Sequence, residues 1–338
     1  MKHKERIIAA VNHRQTDYTP YTLGLTQQAQ QRLDDFLGHN RFASQIDNPI
    51  ITAYYDGWLE EIKPGSGYWR DAYGVLWNRN GADKDIGVIE GQVMPEPDLS
   101  SYKFPELDES RLRSEYEKQA KADPDIFKFG AIGFSLYERA WTLRGMEDFL
   151  IDMAANPDFA EDLLDAITDY NLKIIDIALE YPIDGFHFGD DWGQQNGMIM
   201  GPAYWRRFIK PRLARMYKRA KDAGKIISQH SCGDIQEVFP DLIDIGLDIY
   251  QTVQPEIYDM KQIKRDFGQH LTFWGGISTQ RLLPYASPEE VKRVTLETIS
   301  ILGAGGGYIA APTHSIPGDV PPENILAMLE IFQNQNIS

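Results

Sequence analysis

"KIISQHSCGD" (residues 225–234) joins a short apolar run to a histidine and the only cysteine of this 338-residue chain. Short apolar runs rich in β-branched residues are typical of strands that are buried on both faces. His230 and Cys232 follow this run, with one residue between them. Because side chains two residues apart in extended backbone point the same way, the stretch predicts a buried strand with an imidazole and a thiol at its end.

The same pattern of a short apolar run followed by a helical stretch recurs along the chain. It predicts the strands 18–23, 48–55, 126–134, 183–189, 225–229, 247–251, 271–276 and 307–311. This alternation predicts an α/β fold, a single (β/α)8 TIM-barrel domain over residues 1–338. Residues from about 56 to 105 are predicted to be a hairpin-rich insertion after the second strand. A doubly wound open sheet is the alternative, but it would normally show a glycine-rich phosphate turn after an early strand, which is missing here.

Charge, apolar runs and cysteine count exclude several classes of protein. The net charge of −16 argues against a nucleic-acid partner, because phosphate binding needs a basic face. No apolar run reaches the roughly 18 residues of a membrane span, and the N-terminal stretch lacks the apolar core of a signal peptide. A single cysteine excludes an internal disulfide and suits a reducing compartment. We therefore expect a cytoplasmic protein that binds neither nucleic acid nor membrane.

The C-terminal ends of barrel strands form the active site of this fold, so the residues there are the candidates for chemistry. Asp190 and Asp191 follow one strand and are the candidate catalytic acids, with turn formation as the ordinary alternative. Four further residues lie at or near strand ends and are candidate substrate-binding groups: Glu138, Trp192, Gln251 and Trp274. For the aromatic residues among them, core packing is the alternative.

His230 and Cys232 are candidate metal ligands, and His314 follows the last predicted strand. Closure of a barrel would bring His314 next to the other two. Zinc prefers imidazole nitrogen and thiolate sulfur, and a catalytic zinc site uses three protein ligands and keeps one position open. The alternative is that Cys232 is a small buried residue and His230 a hydrogen-bonded loop residue.

Several stretches together resemble the uroporphyrinogen decarboxylase superfamily, and more closely its cobamide-dependent methyltransferase branch. The resemblance covers almost the whole chain and is carried by "KERIIAAVNHRQTDYTP" (4–20), "SLYERAWTLRGMEDFL" (135–150), "GFHFGDDWGQQNGMIMGPAYWRRFIKP" (185–211), "HSCGD" (230–234), "FWGGIST" (273–279) and "GGGYIAAPTHSIPGDVPPENI" (305–325).

The resemblance implies different chemistry for the two branches. The decarboxylases grip their acidic substrate with an arginine-rich N-terminal motif, but the matching residues 20–31 contain no arginine. The methyltransferases bind zinc through His-x-Cys and a late cysteine. His230 and Cys232 match the first two ligands, and His314 stands where the cysteine would be.

One thiolate and two imidazoles would leave zinc with a formal charge of +1, which suits polarisation of an ether oxygen. We therefore expect a methyl group to move from a methoxylated aromatic compound to the Co(I) of a cobamide carried by a separate corrinoid protein. The alternatives are a decarboxylase of an acidic substrate, a methylcobamide:thiol methyltransferase, and a barrel without catalytic activity. The sequence leaves the oligomeric state open, with a homodimer among the options.

Overall fold

Parallel strands form the centre of the protein in the computed structural model, which describes residues 1–42, 46, 48–55, 57–81 and 87–335. In chain order, the strands of these residues are β1 (Ile50–Tyr55), β2 (Glu60–Glu61), β3 (Tyr68–Arg70), β4 (Leu76–Asn78), β5 (Val88–Ile89), β6 (Phe127–Ile132), β7 (Gly185–Gly189), β8 (Gly193–Gln194), β9 (Gly197–Met198), β10 (Ile226–His230), β11 (Ile249–Val253), β12 (Thr272–Ile277) and β13 (Tyr308–Pro312). Seven of them form a curled parallel sheet in the order β1-β6-β7-β10-β11-β12-β13.

The described helices lie between most of these strands. They are α1 (His3–Val11), α2 (Gln27–Leu37), α3 (Glu109–Ala120), α4 (Tyr137–Arg144), α5 (Met146–Ala155), α6 (Pro157–Leu179), α7 (Gly201–Tyr204), α8 (Lys210–Lys221), α9 (Phe239–Asp244), α10 (Met260–Phe267), α11 (Leu282–Tyr285), α12 (Pro288–Leu302) and α13 (Pro322–Gln333), with a π-helical turn at Trp205–Ile209 and short 3-10 turns at Leu99–Ser101 and Gln236–Val238. Among the described residues, no helix combines the length and the apolar character that a membrane crossing requires.

The predicted alternation of strands and helices is confirmed for the seven strands of the parallel sheet. Each of them begins and ends within two residues of its predicted bounds. Every residue of β6, β7 and β13 is buried, as expected for strands covered by helices on one face and by the sheet's own interior on the other. The α/β class is therefore established.

The inner face of the sheet is apolar at the N-terminal ends of the strands. Phe127 and Ile249 belong there to one buried cluster with Ile7 and Val11 of α1. Because side chains alternate along a strand, Ser228 and His230 of β10 lie on one face, further toward the C-terminal end. Helix α1 therefore closes one end of the sheet, and the polar side chains gather toward the other end.

The strand predicted at 18–23 is not observed as a regular strand, and this prediction is wrong. Tyr21 forms only an isolated parallel bridge to Ala310 of β13, and Leu25 forms another to Ile316. Pro20 explains part of the difference, because proline has no backbone N–H to donate. Its carbonyl still accepts a hydrogen bond from the Ala310 N–H at 2.8 Å.

A side chain provides the contact between this segment and the start of β1. Asn48 accepts a hydrogen bond from the Leu23 N–H at 2.8 Å and donates one to the Leu23 carbonyl at 3.1 Å. Asn48 therefore bonds both backbone groups of Leu23, as a neighbouring strand would. A closed eight-stranded barrel stays a prediction.

A second, antiparallel sheet stands in the chain between β1 and β6, in the order β2-β3-β4-β5. A buried ion pair joins this region to α4, because the Arg139 guanidinium lies 2.7 Å from the Asp71 carboxylate. The insertion predicted at about 56–105 stays a prediction as a whole, since residues 56 and 82–86 lie outside the described residues.

We predict that Asn48→Ala lowers the free energy of unfolding by about 2 kcal/mol, because it leaves two backbone groups of the buried Leu23 without partners. Urea denaturation followed by circular dichroism measures the change. Asn334→Ala is the control, since Asn334 donates one exposed hydrogen bond to the Glu330 carbonyl and should change stability by no more than about 0.5 kcal/mol. Equal losses in the two variants would contradict this role of Asn48.

Candidate active site

The loops that follow β7 and β10 lie against each other at the C-terminal edge of the sheet. The Gly193 N–H donates to the Cys232 carbonyl at 3.2 Å, and the Asp234 N–H donates to the Gln194 carbonyl at 2.9 Å. These two bonds continue the pairing of β7 with β10 beyond the ends of both strands. The loops therefore hold Asp191 and Cys232 at a fixed separation.

Two glycines make this approach possible. A Cβ on Gly193 would lie 2.5 Å from the carbonyl carbon of Gly233, and a Cβ on Gly233 would lie 2.1 Å from the carbonyl carbon of Gly193. Both distances are far below van der Waals contact, and the opposing atoms belong to the backbone. Gly233 also has a φ of +80°, which side chains with a Cβ rarely adopt. Glycine is therefore required at both positions.

Asp191, His230 and Cys232 form a cluster whose candidate ligand atoms all lie within 4.8 Å of one another. His230 Nε2 lies 3.4 Å from Asp191 Oδ1 and 3.5 Å from Cys232 Sγ. The backbone N–H of Cys232 donates to the same Asp191 oxygen at 2.7 Å, which orients the carboxylate. Oxygen, nitrogen and sulfur of this kind are the atoms with which proteins bind zinc.

Gln251, at the middle of β11, selects the tautomer of the neutral His230 ring. His230 Nδ1 is hydrogen-bonded to the side-chain oxygen of Gln251. Since an amide oxygen can only accept, Nδ1 carries a proton, and in the neutral ring Nε2 then presents its lone pair toward Asp191 and Cys232. A lone pair that faces a carboxylate oxygen is favourable only when a cation or a proton lies between them. The arrangement therefore fits a metal ion, and Gln251 is the kind of outer partner that metal-binding histidines use.

The electrostatic surroundings of Cys232 argue against a reactive nucleophile. Burial, followed by the charges of Asp191 and Glu138, raises the pKa of the Cys232 thiol. Reactive cysteines have lowered pKa values and lie near positive groups, which is the opposite situation. A bound cation would offset these effects and favour the thiolate. The donor set therefore fits a metal ligand better than a nucleophile.

Glu138, near the start of α4, is the second carboxyl group beside the cluster. Burial, followed by the charges of Asp191 and Asp190, raises the pKa of Glu138 well above its ordinary value. Glu138 therefore retains a proton more readily than an exposed glutamate does. Its predicted part in substrate binding stays a prediction.

Asp190 lies behind the cluster, fully buried, and holds the start of α4. Its carboxylate accepts hydrogen bonds from the backbone N–H groups of Leu136, Tyr137 and Glu138 and from Trp192 Nε1. Burial raises the pKa of Asp190 to about 6, while these donors oppose the rise. Its contacts are those of a helix cap, so of the two predicted catalytic acids only Asp191 lies in the ligand cluster.

His314 lies next to His230, but its nitrogens do not belong to the close cluster. The two ring centroids are 6.1 Å apart, and the His314 side chain is exposed. The loop after β13 therefore brings His314 to the same side of the sheet as His230 and Cys232. Its predicted part as a metal ligand stays a prediction.

The two predicted substrate-binding tryptophans lie in different surroundings. Trp192 has no solvent exposure and packs edge-on against Trp205, with ring centroids 5.4 Å apart. Trp274 is half-buried and, together with Gln251 and His314, lines a cavity of about 230 Å³. Trp274 and Gln251 are therefore accessible to a small ligand, whereas Trp192 packs behind the site.

His187 lies on the inner face of β7 and was not among the predicted site residues. Its ring contacts Phe129 and Trp274, with centroid distances of 6.0 Å and 5.9 Å. In the sequence it stands inside an apolar strand, so nothing marked it as different from a core residue. The histidine between Phe186 and Phe188 was itself the one polar residue of β7, and a buried histidine of this kind is equally typical of packing.

The family model described as uroporphyrinogen decarboxylase (URO-D) matches residues 135–335, which include every candidate site residue named above. This match spans more than half of the chain, and the protein therefore belongs to the uroporphyrinogen decarboxylase family. The family resemblance predicted from the sequence motifs is thereby confirmed.

Two kinds of relatives can be compared directly. Uroporphyrinogen decarboxylases from three strains of Coxiella burnetii are 23% identical over 189 residues, which is 54% of this chain and 49% of their own length. The alignment thus spans about half the length of these relatives. The solved structure of a methyltransferase from Methanosarcina mazei is similar over 98% of both chains, with a TM-score of 0.73 and 19% sequence identity. The shared fold therefore extends over nearly the whole protein.

We predict that Gly233→Ala is far more damaging than Gly197→Ala. Both glycines have a positive φ, but a Cβ on Gly197 would meet no atom within 4 Å. Gly197→Ala should therefore cost about 1 kcal/mol of stability for its backbone conformation alone. Gly233→Ala should cost at least about 1–3 kcal/mol more, because the two loops must separate. Thermal and urea unfolding of both variants measure the difference, and similar losses would show that the loop contact is not essential.

Proposed function

We propose that this protein is a zinc-dependent methyltransferase that moves a methyl group from a methoxylated aromatic compound to the cobalt of a separate corrinoid protein. The observation that carries the proposal is the convergence of Asp191 Oδ1, His230 Nε2 and Cys232 Sγ, with the His230 lone pair directed at the other two atoms. Family membership and the fold similarity to a methyltransferase from Methanosarcina mazei support the class.

The metal would be held by His230 through Nε2, by Cys232 as its thiolate and by Asp191 through Oδ1. When bound there, zinc would supply Lewis acidity toward the ether oxygen of the donor. Gln251 keeps the His230 ring in the required tautomer, and the Cys232 N–H orients the Asp191 carboxylate. His314 stands beside His230, where it can act as a further ligand or contact the donor.

The ligand atoms favour an oxygen compound as substrate. A second thiolate, as in the methyltransferases that activate thiols, would make the site richer in electron density. A carboxylate or an imidazole in its place donates less charge than thiolate sulfur does, so the site withdraws more charge from a bound ether. The formal charge of +1 expected for one thiolate and two imidazoles does not apply to this ligand set, because Asp191 and not His314 belongs to the close cluster with His230 and Cys232.

Removal of a methyl group from an aryl ether leaves a phenolate, which needs a proton. Glu138 is the carboxyl group best suited to supply it, since its pKa is raised by burial and by its carboxylate neighbours. Asp190 is a weaker candidate, because four N–H donors already occupy its oxygens. Asp190 would instead position Glu138 through the backbone N–H at 2.8 Å.

We further propose that the chain acts in the cytoplasm and is one (β/α)8 barrel with a hairpin-rich insertion at about 56–105. Residues 20–25 would close the barrel beside β13, where Tyr21 and Leu25 already form parallel bridges. The cobamide would arrive on the corrinoid protein partner and would be a substrate of the reaction.

A decarboxylase is the second candidate, because the family and the Coxiella burnetii relatives favour it. Against it stands the absence of arginine at residues 20–31, since an acidic substrate needs cationic partners. The carboxylate of Asp191 would also repel the carboxylates of such a substrate. Methyl transfer therefore agrees better with the charges at the site.

We predict that the purified protein binds about one zinc ion per chain. Cys232→Ser and Asp191→Asn should weaken zinc binding at least tenfold, because each variant removes an anionic ligand, and His314→Ala should weaken it less. Competition with a chromophoric chelator measures the affinity. Asp222→Asn is the control, since Asp222 forms only an exposed ion pair with Lys218. Zinc affinity equal to wild type in both Cys232→Ser and Asp191→Asn would refute the proposed ligand set.

We predict that the zinc-loaded protein demethylates methoxylated aromatic compounds only when a reduced corrinoid protein is present. Methylation of the cobalt, followed by its absorption spectrum, measures the reaction. Cys232→Ser should lower the rate at least about a hundredfold, since the Lewis acid is lost. Two further assays separate the alternatives: methylation of a thiol by methylcobamide, and decarboxylation of uroporphyrinogen. Activity in either of these assays without any demethylation would overturn the donor assignment.

A further inference from the structure

We propose that His187 and Trp274 form the floor of the donor pocket and that His187 binds a hydroxyl group on the aromatic ring of the donor. This inference rests on the proposed function, because it names the substrate class for the same site: neutral phenolic methyl ethers. The contacts, the position and the charge of His187 each support it.

The position of His187 is set by strand register. His187 of β7 pairs with Ser228 of β10, and Gly189 pairs with His230. Residues two apart on a strand lie about 6.6 Å apart along its axis. His187 therefore lies on the same face as His230 and one layer deeper in the sheet interior. A single aromatic ring has a length that suits this separation.

The His187 ring is fixed by its neighbours. Its Nδ1 is hydrogen-bonded to Ser228 Oγ at 2.9 Å. Phe129 and Trp274 both contact the ring, and these two residues also stack on each other, with planes nearly parallel at 17°. His187 is 9% exposed, and within the described part of the chain no residue hydrogen-bonds to its Nε2. One polar atom of a rigid and almost fully buried ring is thus left for a ligand.

The wall next to His187 suits an aromatic compound. Trp274 donates from Nε1 to Thr22 Oγ1 at 2.8 Å, which holds its indole ring in place. The same ring lines the cavity of about 230 Å³ that also includes Gln251 and His314. A donor in this cavity would therefore contact the indole, which His187 also contacts, and Gln251, which is hydrogen-bonded to His230.

The charge at this position favours a hydroxyl group as the partner of Nε2. Burial, followed by the charge of His230, lowers the pKa of His187 to about 3, so the ring is neutral at ordinary pH. A neutral imidazole has one donor and one acceptor nitrogen, and the Ser228 hydroxyl can match either tautomer. A phenolic hydroxyl can likewise donate or accept. A carboxylate could pair with only one of these tautomers and would also be repelled by the carboxylate of Asp191.

Two ligands of nearly equal shape test the inference by binding rather than by turnover. 4-Methoxyphenol carries the hydroxyl group, and 4-methylanisole has a methyl group in its place. Isothermal titration calorimetry of the zinc-loaded wild-type protein should show about tenfold tighter binding of 4-methoxyphenol, since one buried hydrogen bond separates the two ligands.

Two variants of His187 separate its two nitrogens. His187→Asn keeps a polar atom at the Nδ1 position, where it can still bond Ser228, and removes the group at Nε2. His187→Gln keeps a polar atom at the Nε2 position. We expect the ratio of the two affinities to fall to about one in His187→Asn and to remain above about threefold in His187→Gln.

The outcomes decide between this inference and the proposed function. A wild-type ratio near one, or a wild-type ratio retained in folded His187→Asn, overturns the inference even if demethylation occurs. If His187→Asn does not fold, the ratio of the two affinities is compared between wild type and His187→Gln instead. A tenfold ratio of the two affinities in wild type that is lost in His187→Asn supports the hydroxyl subsite. This holds even if the protein demethylates neither compound. Absence of demethylation would count against the proposed function alone.

Discussion

The contact between the loops that follow β7 and β10 is the constraint on which the candidate site depends. Neighbouring parallel strands bring the two loops to one edge of the sheet, but only glycine at positions 193 and 233 allows their backbones to meet. That contact places the Asp191 carboxylate at the Cys232 N–H and beside His230 Nε2. Three ligand atoms, two from these loops and one from the last residue of β10, are thus positioned by backbone packing rather than by flexible side chains.

The inner face of the sheet changes from apolar to polar along the strands. Near α1 it consists of residues such as Phe127 and Ile249, which form one buried cluster with Ile7. His187 and Trp274 form a mixed layer above it, and His230 lies at the C-terminal ends of the strands. The first layer stabilises the fold through burial of apolar surface. The apolar core does not need the polar groups at the C-terminal ends of the strands. These groups can therefore bind a metal and a ligand.

Much of the fold could be predicted from the sequence, because strands buried on both faces leave short apolar runs at regular intervals. The strand at 18–23 could not be predicted correctly, since the contact there depends on the side chain of Asn48, which lies outside the run. A local pattern records the preference of a segment for extended backbone. It does not record which neighbour supplies the hydrogen bonds.

The site was predictable where ligand types stand close in sequence, as His230 and Cys232 do. The choice between Asp190 and Asp191 was not, because adjacent residues point to opposite sides and only the structure shows which side caps α4. His187 was missed because a buried polar residue within a strand has no sequence signature that separates binding from packing. The hydrogen bond between His230 and Gln251 likewise depends on the register of β10 with β11, which only the structure shows.

X-ray absorption at the zinc edge can show whether Asp191, His230 and Cys232 together bind one zinc ion. The wild-type protein should show one sulfur neighbour at about 2.3 Å and the remaining nitrogen and oxygen neighbours at about 2.0–2.2 Å. Cys232→Ser should lose the sulfur contribution. Zinc without any sulfur neighbour in the wild-type protein, or no stoichiometric zinc at all, would contradict the account.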